Sequence, residues 1–357
     1  MFEYALLPFL LTLLVTILLT LATLPLVKKF GLMDDPTLHR HPGMIHTKPI
    51  PRGGGIPLYG GILIAALILL PLTPQLIAIL IAGFLALSVG VIDDKFNAQS
   101  RDVSPYLRFL VNILCAVIVV GSGVTIAFTT NPLGGILRLD TLIIPLIGRP
   151  IGDLIAAVWI IWVMNMLNWS KGVDGQMPGI VAISALVIGI LSLRFPEIAG
   201  VSLTDAKLSF MIAGSAIGFL LFNFYPAKLF PGYGATSVYL LLAVVSILSS
   251  AKLATAILVM GVPIIDALFT IFRRLFTKKS PFLGDKRHLH HLLLRLGYTQ
   301  RQVAVFYWSL SAILGTVALT LQSNSKVFAL LMLVVLVGGG LLFLHFMVRF
   351  SHEEEVS

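Results

Sequence analysis

Three imidazoles fall within four residues of this chain, His288, His290 and His291. They lie in RRLFTKKSPFLGDKRHLHHLLLRLGYTQR, Arg273 to Arg301, beside Asp285 and among eight lysines and arginines. Clustered imidazoles ligate metals or donate hydrogen bonds to phosphate. The surplus of cations and the lack of a cysteine partner rank phosphate above zinc. Histidines that merely reach from an interface to water are the structural alternative. His345 stands alone in an apolar run, where a hydrogen-bonded core histidine is expected.

Other polar groups mark the ends of apolar runs. Asp93 and Asp94 directly follow IAGFLALSVGVI. Adjacent carboxylates raise each other's pKa unless a cation neutralises them, and magnesium, with its oxygen ligands, does so well. An acidic pair ending a helix in water, partnered by Arg101 and Arg108, explains the same residues. Asn165 and Asn168 share one helix face at the end of VWIIWVMN, with Asp174-Gly175 just beyond. Their amides can serve a nucleobase or sugar, or cap the helix end. Arg52 precedes Gly53-Gly54-Gly55, so a guanidinium and close-approaching backbone N–H groups can hold an anion, or the glycines can form a simple turn. His46 and Lys48 stand just before it.

The elements that carry these groups are apolar. Of 357 residues 57% are hydrophobic and 11% charged, against about 25% charged in a soluble domain. This composition describes an all-α polytopic membrane protein, a single integral membrane domain over 1–357. Eleven apolar spans are expected, near 5–27, 55–71, 75–92, 106–124, 152–167, 177–193, 207–223, 236–249, 252–272, 303–322 and 326–349. The first starts acidic and long, so it should stay as a helix and not be cleaved as a signal. The turn at Ser249, Ser250 and Lys252 is the weakest boundary. Residues 125–151, with Pro and Gly around alternating ILRLDTLIIPLIG, predict a small β-hairpin. The one cysteine, Cys115, predicts a buried apolar residue and no disulfide.

Alternate loops then carry 19 and 6 of the 25 lysines and arginines. The positive-inside rule makes the 19-cation side cytoplasmic, with the N-terminus outside and the C-terminus inside. Every polar cluster above falls on that side. A transporter would instead place ionisable groups near the bilayer midplane.

The order of these motifs resembles the polyprenyl-phosphate N-acetylhexosamine-1-phosphate transferase family, which includes the phospho-N-acetylmuramoyl-pentapeptide translocases and the undecaprenyl-phosphate GlcNAc-1-phosphate transferases. The residues that carry the likeness are Asp35 with Thr37, His46-Thr-Lys48-Pro-Ile-Pro51-Arg52-Gly-Gly, Asp93-Asp94, Asn165-Met-Leu-Asn168, and Pro281-Phe with Asp285 and His288-Leu-His290-His291. The resemblance implies ten or eleven transmembrane helices, a UDP-linked amino sugar, a polyprenyl phosphate acceptor, and magnesium or manganese. It also implies a multi-pass protein of a bacterial-type plasma membrane in cell-wall or surface-glycan synthesis. Expected partners are the two substrates, the bilayer and a second copy in a homodimer, with no nucleic acid.

In roles, Asp94 and Asp174 would hold metal, and Asp93 would ligate it or deprotonate the acceptor. His288, His290 and His291, with Arg52 and Lys48, would stabilise pyrophosphate charge. His46, Asn165, Asn168, Lys171, Asp174 and Asp285 would contact substrate. Two positions depart from the pattern. Lys171 replaces the first Asp of D-G-x-D-G, and Tyr233 replaces the Asp of G-D-x-G-S. A catalytically degenerate homologue that binds lipid phosphate or a partner enzyme therefore stays open, and Lys171 is read as a point cation on phosphate.

Overall fold

The computed structural model describes residues 1–37, 45–101, 103–131, 135–145, 148–194, 203–248, 253–280 and 287–354. The expected site residue Asp285 and the turn at Ser249, Ser250 and Lys252 lie outside them.

Helices dominate: α1 (Leu7–Lys29), α2 (Gly55–Leu69), α3 (Pro74–Ala98), α4 (Pro105–Gly121), α5 (Ile151–Trp169), α6 (Gln176–Arg194), α7 (Thr204–Asn223), α8 (Thr236–Ile247), α9 (Leu253–Val259), α10 (Gly261–Phe276), α11 (Leu289–Arg295), α12 (Gln300–Thr320) and α13 (Ser323–Glu354). Helices occupy all eleven expected stretches. Seven among the described residues are long and apolar enough to cross a membrane, or eight if α9 and α10 together make one bent span. The shorter α2, α4 and α8 do not reach that length, so eleven full spans are not established by length.

Burial explains how a short apolar helix survives. All twelve residues of α8 are buried, and α8 packs against α3, α5, α6 and α7. At 1.5 Å per residue it rises only about 18 Å, so protein, not lipid, covers most of it. A helix apolar on every side belongs in such a place. The outer helix α13 differs, with 11% of its spanning window buried against 78% for α6.

The 252–272 stretch is not one straight helix. The axis turns by 77° between α9 and α10. Pro263 lies in the first turn of α10, where a missing N–H costs no helical bond. Gly261 lets Leu333 of α13 come so close that a Cβ there would sit 2.1 Å from it. The break thus follows from a proline that starts a helix and a glycine that admits a neighbour.

The 125–151 segment forms two small antiparallel pairs, not one hairpin. These are β3 (Phe128–Thr130) with β4 (Ile136–Arg138), and β5 (Ile143–Ile144) with β6 (Arg149–Pro150). A further pair, β1 (Met33–Asp34) with β2 (Ile50–Pro51), was not anticipated. It sets Asp34 opposite Ile50, two residues before Arg52. Cys115 is buried, as expected. His345 is hydrogen-bonded to Arg273 at 2.8 Å and to the Leu341 carbonyl at 2.8 Å, as expected, but it is half-buried on the outer helix α13 and not in the core.

Candidate active site

The site gathers at helix ends. Asp93 and Asp94 occupy the last turns of α3, where the apolar run stops, and both are buried. Asp93 Oδ1 accepts from Arg108 Nε at 2.6 Å. Arg108 comes from the first turn of α4, whose start is fixed by Pro105. Asp94 Oδ1 accepts from the backbone N–H of Tyr233 at 2.8 Å, and Arg52 stands 3.9 Å from the same oxygen. Asp94 Oδ2 is buried without a hydrogen-bond partner among the described residues.

Gly232 makes this contact possible. Its φ is +67°, and a Cβ there would lie 2.0 Å from Asp94 Oδ2. Only glycine takes that backbone shape without strain while letting the carboxylate lie against it.

Arg52 is held from the other side. Its Nε donates to Asp34 Oδ2 at 2.9 Å, and its Nη2 donates to the same oxygen. His46 Nε2 approaches Asp34 Oδ2 at 3.5 Å. Asp35, one of the residues that carry the family likeness, accepts from the N–H and hydroxyl of Thr37. Two of the three glycines after Arg52 do not offer their N–H groups to an anion. Gly54 N–H donates to the Phe230 carbonyl at 3.0 Å and Gly55 N–H to that of Pro231 at 2.9 Å. Those N–H groups are spent on clamping the first loop to the segment that carries Gly232.

The end of α5 supplies the third wall. Asn168 Nδ2 donates to the Met164 carbonyl and to Thr236 Oγ1, while its Oδ1 accepts from Lys171 Nζ at 2.9 Å. Lys171 also donates to the Gly232 carbonyl at 2.9 Å. Its Nζ lies 5.5 Å from the centre of the Tyr233 ring, and Arg108 lies 5.1 Å from the same ring, both within cation–π range. Burial pulls the Lys171 ammonium down to about 8, against the upward pull of Asp94. Asn165 only donates one turn back, to the Ile161 carbonyl. Asp174 accepts from the Ala227 N–H at 2.9 Å. Burial raises its pKa, partly offset by that N–H.

The histidines join this wall through a second glycine. A Cβ at Gly172 would lie 2.2 Å from His290 Nε2, so the imidazole packs directly on the Lys171-Gly172 loop. His288 and His290 stack with centroids 5.7 Å apart, and His291 lies 4.3 Å from His290. Asp266 on α10 orients them. Its Oδ2 takes His288 Nδ1 at 2.8 Å, and its Oδ1 accepts the Leu289 N–H at 2.8 Å. Burial, then the neighbouring His291 and His288, hold the His290 pKa well below the usual histidine value. His290 is therefore neutral at pH 7.

Residues 76–250 match the model of glycosyl transferase family 4. A decaprenyl-phosphate N-acetylglucosaminephosphotransferase of Mycobacterium leprae is 30% identical over 297 residues, 74% of this chain and 72% of its own. The chain belongs to glycosyl transferase family 4. A probable undecaprenyl-phosphate N-acetylglucosaminyl 1-phosphate transferase of Bacillus subtilis is 27% identical over 336 residues, 90% of this chain and 87% of its own. An undecaprenyl-phosphate alpha-N-acetylglucosaminyl 1-phosphate transferase of Yersinia pestis is 27% identical over 304 residues, 81% of this chain and 76% of its own.

In this family 4 protein the fold brings together Asp93, Asp94, Arg52, His46, Asn168 and Lys171, with His290 packed on the loop that follows Lys171. Lys48 is exposed and makes no polar contact among the described residues. Three residues were not foreseen. Asp266 carried a signal, since an acid inside GVPIIDALFTIF is costly unless used. Asp34 carried none, because only the β1–β2 pairing brings it to Arg52. Asn223 accepts the Gly175 N–H at 3.0 Å and fixes the turn after Asp174.

The donor set does not build the expected magnesium site. Among the described residues no three His, Cys, Asp or Glu side chains are grouped to hold a metal ion. Asp93 is taken by Arg108, and one oxygen each of Asp94 and Asp174 is taken by a backbone N–H. Among the described residues the one fully buried carboxylate oxygen without a partner is Asp94 Oδ2, and the charges of Arg52 and Lys171 act on that carboxylate.

Proposed function

We propose that this protein transfers a phospho-amino-sugar, of GlcNAc-1-phosphate or MurNAc type, from a UDP-sugar to polyprenyl phosphate, as the first membrane step of cell-wall or surface-glycan synthesis. The observation that carries this reading is the convergence of Arg52, Arg108 and Lys171 on two buried carboxylates at the end of the apolar helix α3. Relatives over most of the chain's length are named for this transfer.

Phosphoryl transfer needs in-line placement and charge neutralisation more than covalent chemistry. An oxygen of the lipid phosphate attacks the sugar-linked phosphorus of the UDP-sugar. A new P–O bond forms to the lipid phosphate. The bond from that phosphorus to the bridging oxygen breaks, and its electron pair leaves with UMP. Asp94, through its unpartnered Oδ2, accepts the residual proton of the acceptor phosphate. Arg52 and Lys171 hold the phosphates, and the guanidinium charge is fixed in direction by Asp34. His288, aimed by Asp266, and the neutral His290 face the developing charge on the leaving phosphate. Asp93 holds Arg108 in place.

In our reading the helix ends that carry the site face the cytoplasm, with the N-terminus outside. The 19-to-6 division of lysines and arginines supports this. The short helices α2, α4 and α8 complete eleven crossings, α8 by packing inside the bundle and α2 and α4 with one apolar face left outward. The test is transfer of radiolabel from a panel of UDP-sugars to undecaprenyl phosphate by the purified full chain. Wild type should form the labelled lipid with at least one UDP-amino-sugar, and Asp94→Asn should lose most of it. No labelled lipid from any donor, with or without magnesium, overturns the reading.

A further inference from the structure

We propose that the Lys171 ammonium, together with the Arg52 and Arg108 guanidiniums, is the built-in counter-charge for substrate phosphate, so that this site binds phosphate without a divalent cation. The inference rests on the transferase reading and deepens it.

Lys171 is placed as a bound ion would be. Two of its three N–H donors are fixed, on Asn168 Oδ1 and on the Gly232 carbonyl, each at 2.9 Å. The third has no partner among the described residues. Its anchors are themselves tied down, since Asn168 donates to Thr236 at 2.7 Å and Gly232 lies against Asp94. The ammonium is thus held at a fixed point within electrostatic reach of the Asp94 carboxylate, with one donor left for a ligand.

The local charges already balance. Asp34, Asp93 and Asp94 contribute −3, and Arg52, Arg108 and Lys171 contribute +3. A dication entering here meets no excess of negative charge. Carboxylates at 171 and 233, the pattern the sequence resemblance implies, would change Lys to Asp by two units and Tyr to Asp by one. The same cluster would then carry −3, which a dication relieves. The two departures therefore replace more positive charge than one magnesium ion supplies. Tyr233 also does what a carboxylate would not, because its ring lies within cation–π range of both Lys171 and Arg108 without neutralising either.

The test is binding by the purified full chain in phosphatidylcholine nanodiscs, in EDTA and in magnesium. UDP-N-acetylglucosamine and undecaprenyl phosphate serve as separate probes, which distinguishes a donor-phosphate site from a lipid-phosphate site. At least one probe should bind in EDTA within about twofold of its affinity in magnesium. Lys171→Ala should weaken that EDTA binding at least tenfold, and Lys171→Arg should keep it within threefold, which controls for folding. The double variant Lys171→Asp with Tyr233→Asp should bind only in magnesium. Wild-type binding that appears only with magnesium overturns the inference and leaves the transferase reading standing. EDTA binding unchanged in Lys171→Ala also overturns it. Binding of neither probe in either condition overturns both.

Discussion

Gly232→Ala tests the site geometry most sharply. Gly232 sits at φ +67°, and the added Cβ would lie 2.0 Å from Asp94 Oδ2. A left-handed backbone costs a residue with a Cβ about 1–2 kcal/mol. The contact must open by more than about 1 Å to reach ordinary separation. Either Asp94 turns away or the turn holding the Gly232 carbonyl shifts, and that carbonyl anchors Lys171. A displacement of about 1 Å at a phosphoryl-transfer site costs roughly 100-fold in rate. Radiolabel transfer by the purified variant should therefore fall by about that factor while the protein still folds. Gly31→Ala is the control, because Gly31 has φ +69° with nothing within 4 Å of an added Cβ. It should lose the backbone term in thermal stability and keep its transfer rate. A Gly232→Ala rate within threefold of wild type would refute the placement of Asp94 against this turn.

Asp266→Asn keeps an oxygen for the Leu289 N–H but stops accepting from His288. Transfer should drop roughly 10–100-fold with a shifted pH profile; an unchanged profile would make Asp266 a packing residue only. His290 predicts an acid-sensitive fold. The unfolded chain takes up a proton near its ordinary pKa of about 6.5, whereas the buried ring does not. The unfolded state then binds more protons, so stability is lost as pH falls below about 6.5 towards the folded pKa. Melting temperature should decline between pH 7 and pH 5, and His290→Asn should flatten that decline; an equal slope in both proteins would count against it. Cysteines placed at Ser280 and Thr141 should react from opposite sides of the membrane, Ser280→Cys only from the cytoplasm. The native Cys115 is buried and does not interfere. External labelling of Ser280→Cys in intact cells would reverse the orientation.

Much of the site was legible because membrane sequences penalise waste. A carboxylate pair, two asparagines and three histidines at the ends of apolar runs are costly unless they are used; Asp93, Asp94 and Asn168 do converge, His290 packs on the adjoining Lys171-Gly172 loop, and His288 stacks on His290. Helix positions followed from apolar length. What escaped reading depended on contacts between distant segments. Asp34 reaches Arg52 only through the β1–β2 register. The N–H groups of Gly54 and Gly55 are consumed by Phe230 and Pro231, which no local pattern reveals. The bend at Gly261 depends on Leu333 of a helix some seventy residues later. Lys171 was visible as a departure from the pattern, but its anchorage on Asn168 and Gly232 was not.

The central claim is transfer of a sugar phosphate, not of a sugar, and product stoichiometry decides it. Purified wild type, undecaprenyl phosphate and UDP-N-acetylglucosamine labelled in both the sugar and the uridine should be sampled over one time course. The account predicts one UMP released for each lipid diphosphate sugar formed. Release of UDP with a lipid monophosphate sugar, or UMP without labelled lipid, would contradict it.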